Sequence, residues 1–132
     1  MAQLWMMAAA LLCLAAVAQA STLLGGREKA RADSAGVKQA LAFALYQYNK
    51  GSNDEFEARV VKVHNVETQL VSGVLYFMDV DIGRTQCKKP TADVKSCKLH
   101  TDPAFVKVST CHLEVLKVPW KSITEVKKFD CH

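Results

Sequence analysis

Four cysteines in the C-terminal half constrain the fold of this chain more than any other feature. Cys87, Cys97, Cys111 and Cys131 lie there, whereas the fifth cysteine, Cys13, lies near the N-terminus of the 132-residue sequence. In a small secreted chain, an even number of cysteines is typical of a disulfide framework. The first question is therefore whether Cys13 belongs to the folded protein.

The N-terminal segment is typical of a secretory signal peptide. Residues 1–20 contain no charged side chain, include an apolar run over residues 6–17 and end in a small-x-small cleavage pattern over residues 18–20. The run is shorter than the about 20 apolar residues that a membrane-spanning helix needs. We therefore predict cleavage of residues 1–20, loss of Cys13 and a secreted, extracellular chain beginning at Ser21. A membrane anchor or a buried N-terminal helix is the alternative.

The four remaining cysteines permit three disulfide connectivities. Their spacing favours sequential pairing, Cys87 with Cys97 and Cys111 with Cys131, because each bond then closes a short loop that contributes about 3 kcal/mol on the loop-entropy model. The gaps of nine, thirteen and nineteen residues do not match the ligand spacing of zinc sites. With all four thiols paired, none is left as a catalytic nucleophile. We expect no metal and no cofactor.

One amphipathic helix precedes a series of strands. After an arm over residues 21–33, which we expect to be flexible, a helical apolar stripe ends near Gly51; it consists of Val37, Ala40, Leu41, Ala44, Leu45 and Tyr48. Runs rich in β-branched residues predict strands over residues 56–66, 70–80, 105–118 and 123–129. Both parities of the second run are largely apolar, which predicts burial on two faces or a bulge. A basic excursion over residues 83–102 separates the second and third strands. The pattern indicates one α+β domain with an antiparallel sheet against the helix.

Three short motifs follow one another along the chain: Leu24-Gly25-Gly26, Gln69-Leu70-Val71-Ser72-Gly73 and Pro119-Trp120. Each is weak alone, but their order, their spacing and the four cysteines together are specific. The chain after residue 20 resembles the type 2 cystatins, secreted inhibitors of papain-like cysteine proteases. The resemblance implies a five-stranded antiparallel sheet wrapped around one α-helix, the same two sequential disulfides, and an arm and two hairpin loops that form a wedge at one edge.

The residue types in these motifs suit a reversible, tight-binding wedge. A blunt hairpin can fill a protease cleft without presenting a peptide bond to the catalytic thiolate. Val71 offers apolar surface, Gly73 allows a tight turn, and Trp120 in a loop stiffened by Pro119 is typical of interface anchors. The alternatives are that residues 69–73 form only a hairpin turn and that Trp120 is a core aromatic.

The arm contributes the third part of the predicted wedge. Leu24 would fill a substrate subsite of the protease, and Gly25 would let the arm bend away before cleavage geometry is reached. The predicted protease-binding residues are therefore Leu24, Gly25, Gln69, Leu70, Val71, Ser72, Gly73, Pro119 and Trp120. A glycine pair is also common in secreted arms, so the arm motif is the least specific of the three.

A further short segment, Ser52-Asn53-Asp54, follows the predicted helix. Some type 2 cystatins carry a second site here that inhibits legumain, an asparagine-specific protease, through that asparagine. The same residue types are expected in a turn that ends a helix. Both interpretations stay open at this level.

The resemblance implies papain-like proteases such as cathepsins B, L, S and H as partners, with legumain as a further one, and we expect a monomer. The alternative function is that of a basic binding protein on the cystatin scaffold, antimicrobial or receptor-binding, that does not inhibit proteases; the net charge of +4 supports it. Its lysines would be Lys88, Lys89, Lys95, Lys98, Lys121, Lys127 and Lys128. Asp79 and Asp81 share a strand face but have no nucleophile or cofactor motif beside them, so we expect no enzyme. Nothing indicates nucleic-acid binding or an obligate membrane partner.

Overall fold

A computed structural model of the protein describes residues 25–132. The predicted signal peptide, residues 1–20, and Leu24 of the arm motif lie outside the described residues. The elements in chain order are β1 (Arg27–Lys29), α1 (Ala35–Gly51), β2 (Phe56–Val71), β3 (Gly73–Lys88), β4 (Val108–Val118) and β5 (Ile123–Cys131), with 3₁₀ turns at Val94–Ser96 and Pro119–Lys121. One five-stranded antiparallel sheet, ordered β1-β2-β3-β4-β5, packs on α1, which confirms the predicted α+β fold.

The helix buries the stripe that its sequence predicts. Val37, Ala40 and Ala44 are fully buried, and the remaining members of the stripe pack partly buried against the same core. Ser34 precedes the first turn, and its carbonyl oxygen accepts a hydrogen bond from the Lys38 N–H at 3.0 Å. No helix within residues 25–132 combines the length and hydropathy that a bilayer span requires.

The core lies between α1 and one face of the sheet, with Met78, Val80, Leu113 and Val115 at its centre. Phe77 lies in β3 next to Met78, so its side chain points to the opposite face. It is nevertheless only 4% exposed, because the Arg27 guanidinium lies 3.6 Å from its ring centroid. The apolar pattern of this strand thus reflects burial on two faces. This was one of the two predicted explanations, the other being a bulge.

Three register shifts interrupt the β2–β3 pairing, none of them within residues 70–80. Val61 and His64 are single-residue bulges in β2, whereas the extra residues of the third shift lie in β3 between Arg84 and Lys88; the β3–β4 register runs without a break. An extra residue in one strand bends that strand and increases its twist. The two bulges therefore help the long β2–β3 pair to curve around the helix.

Several boundaries differ from the predicted ones. Leu70 and Val71 end β2 instead of beginning β3, and β3 continues to Lys88. The next strand begins at Val108 instead of residue 105, because a turn in which the Phe105 N–H donates to the Asp102 carbonyl oxygen at 2.9 Å precedes it. Part of the predicted flexible arm, residues 27–29, is paired to β2 as β1.

Two disulfides confirm the sequential pairing. Cys87 and Cys97, with Cα atoms 5.9 Å apart, close the segment after β3. Cys111 and Cys131, with Cα atoms 4.1 Å apart, are register partners that join β4 to β5. The first bond fixes an excursion beside the helix, and the second fixes the last strand of the sheet.

Candidate functional site

The β2–β3 hairpin turns within one residue at one end of the sheet. Val71 pairs with Gly73, so that Ser72 alone forms the bend. Gly73 has a φ of +127°, and a β-carbon there would lie 2.6 Å from the Lys117 carbonyl oxygen. A glycine is required because the backbone both adopts a left-handed φ and approaches β4 closely. The predicted hairpin turn is therefore real, and it is held tightly against β4.

The tip of this hairpin exposes apolar side chains. Leu70 is 75% exposed and Val71 is 48% exposed. Large aliphatic side chains are more often buried. Two such residues next to each other on a rigid turn make a contact surface a reasonable interpretation, in addition to the turn itself.

The second loop lies beside the first because β3 and β4 are neighbours and Val74 pairs with Lys117. Pro119–Lys121 forms a 3₁₀ turn between β4 and β5, which ends at Ser122 in the left-handed conformation. Trp120 is 69% exposed, so the alternative of a core aromatic is wrong. Ile123, 40% exposed, follows this turn; sequence analysis treated it only as the start of a strand.

The arm reaches the same end of the molecule. Arg27 pairs with Gln69 in the β1–β2 ladder, and the Gln69 side-chain amide donates a hydrogen bond to the Gly25 carbonyl oxygen. Gly25 has a φ of +81°. We call the surface formed by Gly25, Gln69–Gly73 and Pro119–Trp120 the apolar edge.

None of the side chains on the apolar edge is ionisable. Contacts through this surface would therefore depend on apolar burial and backbone hydrogen bonds, with little direct dependence on pH. Within residues 25–132, no three His, Cys, Asp or Glu side chains are arranged to hold a metal ion. The apolar edge thus consists of apolar and neutral polar side chains.

The Ser52–Asp54 segment forms a compact turn between α1 and β2, at the opposite end of β2 from the apolar edge. The Ser52 hydroxyl accepts a hydrogen bond from the Asp54 N–H at 3.1 Å, and Asp54 Oδ1 accepts one from the Phe56 N–H at 3.0 Å. Asn53, between them, is exposed. The predicted helix-ending turn is present, and it presents the asparagine side chain outward.

Two distant residues fix this turn. Arg84 Nε donates to Asp54 Oδ2 at 2.7 Å, and Lys89 Nζ donates to the Ser52 carbonyl oxygen at 3.0 Å. Partial burial opposes ionisation of Asp54, but the hydrogen bonds from the Phe56 N–H and Arg84 outweigh it and lower the pKa of the carboxyl. Sequence analysis missed both contacts because no local pattern links residues that are 30 and 37 positions apart.

The face of the sheet opposite the core carries paired ionisable groups. His112 lies between Asp79, at 2.7 Å from Nδ1, and Glu114, at 2.9 Å from Nε2. The hydrogen bond with Asp79 is the largest cause that raises the pKa of His112. His64 Nε2 lies 2.9 Å from Asp81 Oδ2. Asp79 and Asp81, the two carboxylates on this strand face, each thus have a histidine ring nitrogen within 2.9 Å.

The comparisons with known proteins agree on one family. The family model described as Cystatin domain matches residues 25–120. The chain is similar to a cystatin of Coturnix japonica, with 42% identity over 111 residues that cover 84% of this chain and 96% of the relative. It is also similar to cystatin-C of Mus musculus, with 41% identity over 127 residues that cover 92% and 91%. A crystal structure of dimeric human cystatin F matches with a TM-score of 0.74 and 30% identity, over 83% of this chain and 87% of that chain.

Proposed function

Because the chain belongs to the cystatin family, as a type 2 member, we propose that it inhibits papain-like cysteine proteases by inserting the apolar edge into the active-site cleft. Family membership supports inhibition of cysteine proteases in general and a role as an inhibitor rather than an enzyme. The observation that carries the finer proposal is that Trp120, Leu70 and Val71 are exposed together on adjacent turns.

The geometry of the apolar edge favours blocking over cleavage. The β2–β3 hairpin bends at Ser72 and packs at Gly73 against β4, so it enters a cleft as a blunt, rigid body. A preformed surface loses little conformational freedom on binding. Trp120 supplies a large apolar contact face, the type of residue that most often dominates interface energies. Inhibition of this kind is reversible because no covalent bond forms.

The arm supplies the third contact of the proposed wedge. Leu24 would enter a substrate subsite, with Gly25 directing the chain away from the catalytic thiolate. The hydrogen bond from Gln69 to the Gly25 carbonyl oxygen supports this role, because it ties the arm to the hairpin beside it. The expected targets are enzymes of the cathepsin B, L, S and H class.

Replacing Trp120 by Ala tests the wedge. We expect the variant to inhibit papain more weakly by about 1–4 kcal/mol, since a buried interface anchor would be lost. Tyr46→Ala is the matched control, because Tyr46 is also an exposed aromatic, at 63%, but lies on α1. The inhibition constants of both variants against papain and cathepsin L measure the effect. An equal effect of the two substitutions, or no inhibition by the unmodified protein, would contradict the proposal.

Deletion of residues 21–25 tests the arm separately. We expect weaker inhibition by about 1–4 kcal/mol with little change in stability, because the deleted residues precede β1 and the hydrogen bond from Gln69 to Gly25 that is lost is exposed. If the truncated protein inhibits papain as strongly as the parent, the arm is not part of the interface. The proposed interface would then consist of the two loops alone.

We also propose that Asn53 is the centre of a second, legumain-inhibiting site. The fixed turn around it supports this, because Arg84 and Lys89 hold its flanking residues while Asn53 itself is exposed. Asn53→Ala should abolish inhibition of legumain and leave inhibition of papain unchanged. Trp120→Ala should do the reverse. If both substitutions affect both enzymes alike, the two sites are not separate.

The secreted state is part of the proposal. We propose that residues 1–20 are removed as a signal peptide, as membership of the type 2 cystatins, a secreted class, implies. N-terminal sequencing of the protein from the medium of expressing cells should begin at Ser21. A product that begins at Met1, or that stays bound to membranes, would contradict it.

The basic-protein alternative predicts salt-sensitive binding to anionic vesicles without protease inhibition. Two of its lysines lie next to carboxylates on the same strand: Lys127 Nζ is 3.1 Å from Glu125, and Lys128 Nζ is 3.6 Å from Asp130. These pairs lower the positive charge of β5, which favours the inhibitor proposal over the alternative.

A further inference from the structure

A groove runs between α1 and the segment that the Cys87–Cys97 disulfide closes, residues 88–97, which we call the stapled segment. Arg59 Nε donates to the Cys97 carbonyl oxygen at 2.8 Å, and the Lys89 N–H donates to the Glu55 carbonyl oxygen at 2.9 Å. The disulfide and these hydrogen bonds hold the stapled segment as a fixed wall. We call the space between the two walls the helix groove.

The helix groove has a wider and a narrower section. The wider section has a volume of about 750 Å³ and runs between Leu45 and Tyr46 of α1 and Pro90 and Ala92 of the stapled segment. The narrower section, of about 210 Å³, lies above Leu41, Val60 and other apolar residues. Cavities that hold small ligands have volumes of about 300–1,000 Å³ and mostly apolar walls. In size the groove matches such a site. Its lining combines apolar side chains, of which Leu45 and Val94 border both sections, with polar and charged ones.

The charges around the groove are unevenly distributed. Lys38, Arg59 and Lys95 line the narrower section, and no carboxylate lines it. The wider section carries charges of both signs: Glu57 and Asp93 line it, and so do Lys50, Lys89 and Lys95. Arg59 already donates to backbone carbonyl oxygens. Neither Lys38 nor Lys95 takes part in the ion pairs found within residues 25–132. Two ammonium groups are therefore available at the narrower end of an apolar channel.

We propose that the helix groove binds a free single-chain amphiphile with an anionic head group, of the fatty acid type. Its alkyl chain lies along the wider section, and its head group lies between Lys38 and Lys95. Charge complementarity selects the anionic head, since the narrower section offers cations and no carboxylate. None of its lining residues belongs to the apolar edge, so it is a function in addition to inhibition of papain-like proteases; its wider section borders Ser52, which precedes Asn53.

Other occupants fit the groove less well. A bilayer surface is flat and cannot enter a space between two walls. A peptide would bring backbone N–H and C=O groups against the apolar side chains of the narrower section, such as Leu41, Ala42 and Val60, which leaves polar groups without partners at a cost in binding. A free amphiphile needs only an apolar channel and a cationic end.

Calorimetric titration with laurate below its micellar concentration tests the proposal on the disulfide-intact protein. We expect saturable binding that is at least about tenfold weaker in the double variant Lys38→Glu/Lys95→Glu, since two attractive charges at the head group become repulsive and a tenfold loss corresponds to only about 1.4 kcal/mol. The control, Lys62→Glu/Lys127→Glu, changes the net charge equally at exposed positions outside the groove and should bind as the parent does. Dodecyltrimethylammonium, with a similar tail and a cationic head, should bind more weakly than laurate.

Amide NMR spectra locate the ligand. Resonances of Leu45 and Val94 should shift during the laurate titration, while that of Trp120 stays in place. The proposal is overturned if laurate shows no saturable binding, if both double variants bind equally, or if the cationic amphiphile binds as tightly. It is also overturned if only anionic vesicles or an acidic amphipathic peptide bind, or if Trp120 shifts instead. Thermal unfolding of each double variant confirms that both remain folded, and Ala42→Glu gives an independent blocking variant on the groove wall, expected to abolish binding.

Discussion

Gly73 occupies a position at which a β-carbon has no room. Its φ is +127°, and the added carbon would lie 2.6 Å from the Lys117 carbonyl oxygen and 3.0 Å from Val118 Cγ2. We predict that Gly73→Ala lowers the free energy of unfolding by about 1–3 kcal/mol, since a non-glycine residue must either hold a strained backbone or move the hairpin away from β4. Urea unfolding followed by circular dichroism measures the change.

Gly51 provides the control for the substitution at Gly73. It ends α1, and a β-carbon there would meet no atom within 4 Å. Gly51→Ala should leave the stability unchanged or raise it by about 0.5–1 kcal/mol, because alanine is the better helix former. Equal destabilisation by the two substitutions would show that the close approach at Gly73 is not the cause.

His112 gives a pH dependence of known direction. The hydrogen bond with Asp79, together with that to Glu114, raises its pKa above 6.5, and Asp130 of β5 is its register partner on the other side. The protonated ring therefore stabilises the fold fully below pH 6.5, and this contribution is lost as the pH rises through the folded-state pKa. We predict that His112→Gln costs up to about 1 kcal/mol near pH 6, because the ring is partly exposed, and less near pH 9.

Urea unfolding at both pH values measures this difference. His132→Gln is the control, since the hydrogen bonds of His132 to Thr110 use only the backbone. A loss of stability in the His112 variant that is the same at both pH values would show that the ring acts by packing and not by charge.

Single residues differ in how far the sequence reveals their roles. Gly73 was predictable because a hairpin motif of fixed spacing contains it. Arg27 was not, since its contact with Phe77 joins the arm to the middle of a strand, and no local pattern records which ring a distant guanidinium covers. The sequence alone allowed Trp120 to be either a core aromatic or an exposed loop residue. The fold shows that it is 69% exposed.

Two elements, α1 and β2, are joined by one buried side chain. Asn49, 7% exposed, donates from Nδ2 to the Ala58 carbonyl oxygen at 2.9 Å and accepts from the Ala58 N–H at 2.8 Å. The pair of bonds fixes the end of the helix to the beginning of the long strand. We predict that Asn49→Ala lowers the free energy of unfolding by about 2–3 kcal/mol, because two hydrogen bonds are lost and the Ala58 groups lose their partner.

Thermal and urea unfolding of the Asn49 variant test this prediction. Gln47→Ala, an exposed change on the same helix, should alter stability by less than about 0.5 kcal/mol. An Asn49 variant as stable as the Gln47 variant would mean that packing of the apolar stripe alone positions the helix.

The elements themselves were largely predictable, and their boundaries were not. The 3.6-residue period of α1 and the β-branched runs reflect which side chains face a common core, and this information is local. Leu70 and Val71 were assigned to the wrong strand because apolar residues on both sides of a one-residue bend form one unbroken run. The pairing of Arg27–Lys29 depends on β2, so the short charged sequence gave no sign of a strand.

For the whole molecule, we predict a monomer in solution. β5 is the longer of the two edge strands of the sheet, and Lys127 and Lys128 lie on it. Lysines on an edge strand oppose edge-to-edge association. All four cysteines among residues 25–132 are consumed within the chain, which leaves none of them for a bond between chains.

Light scattering on the non-reduced protein measures the oligomeric state. We expect the monomer mass, and a tendency to associate in the variant Lys127→Val/Lys128→Val, with Lys88→Val/Lys98→Val as a charge-matched control that stays monomeric. The solved structure of human cystatin F, to which the chain is similar, is described as dimeric, so a dimer is the alternative outcome. A dimer that persists at low concentration would contradict the prediction.

The one-residue bend at Ser72 has a consequence for the order in which the chain assembles. Neighbouring strands joined by so short a link close at almost no entropic cost, whereas β1 must find partners about 40 positions away, at Glu67–Gln69. We therefore expect β2 and β3 to pair first during folding. β1 should pair last, once its partner strand β2 has formed. A newly made molecule would then possess its two loops before its arm, and would gain full inhibitory strength only in the final step of folding.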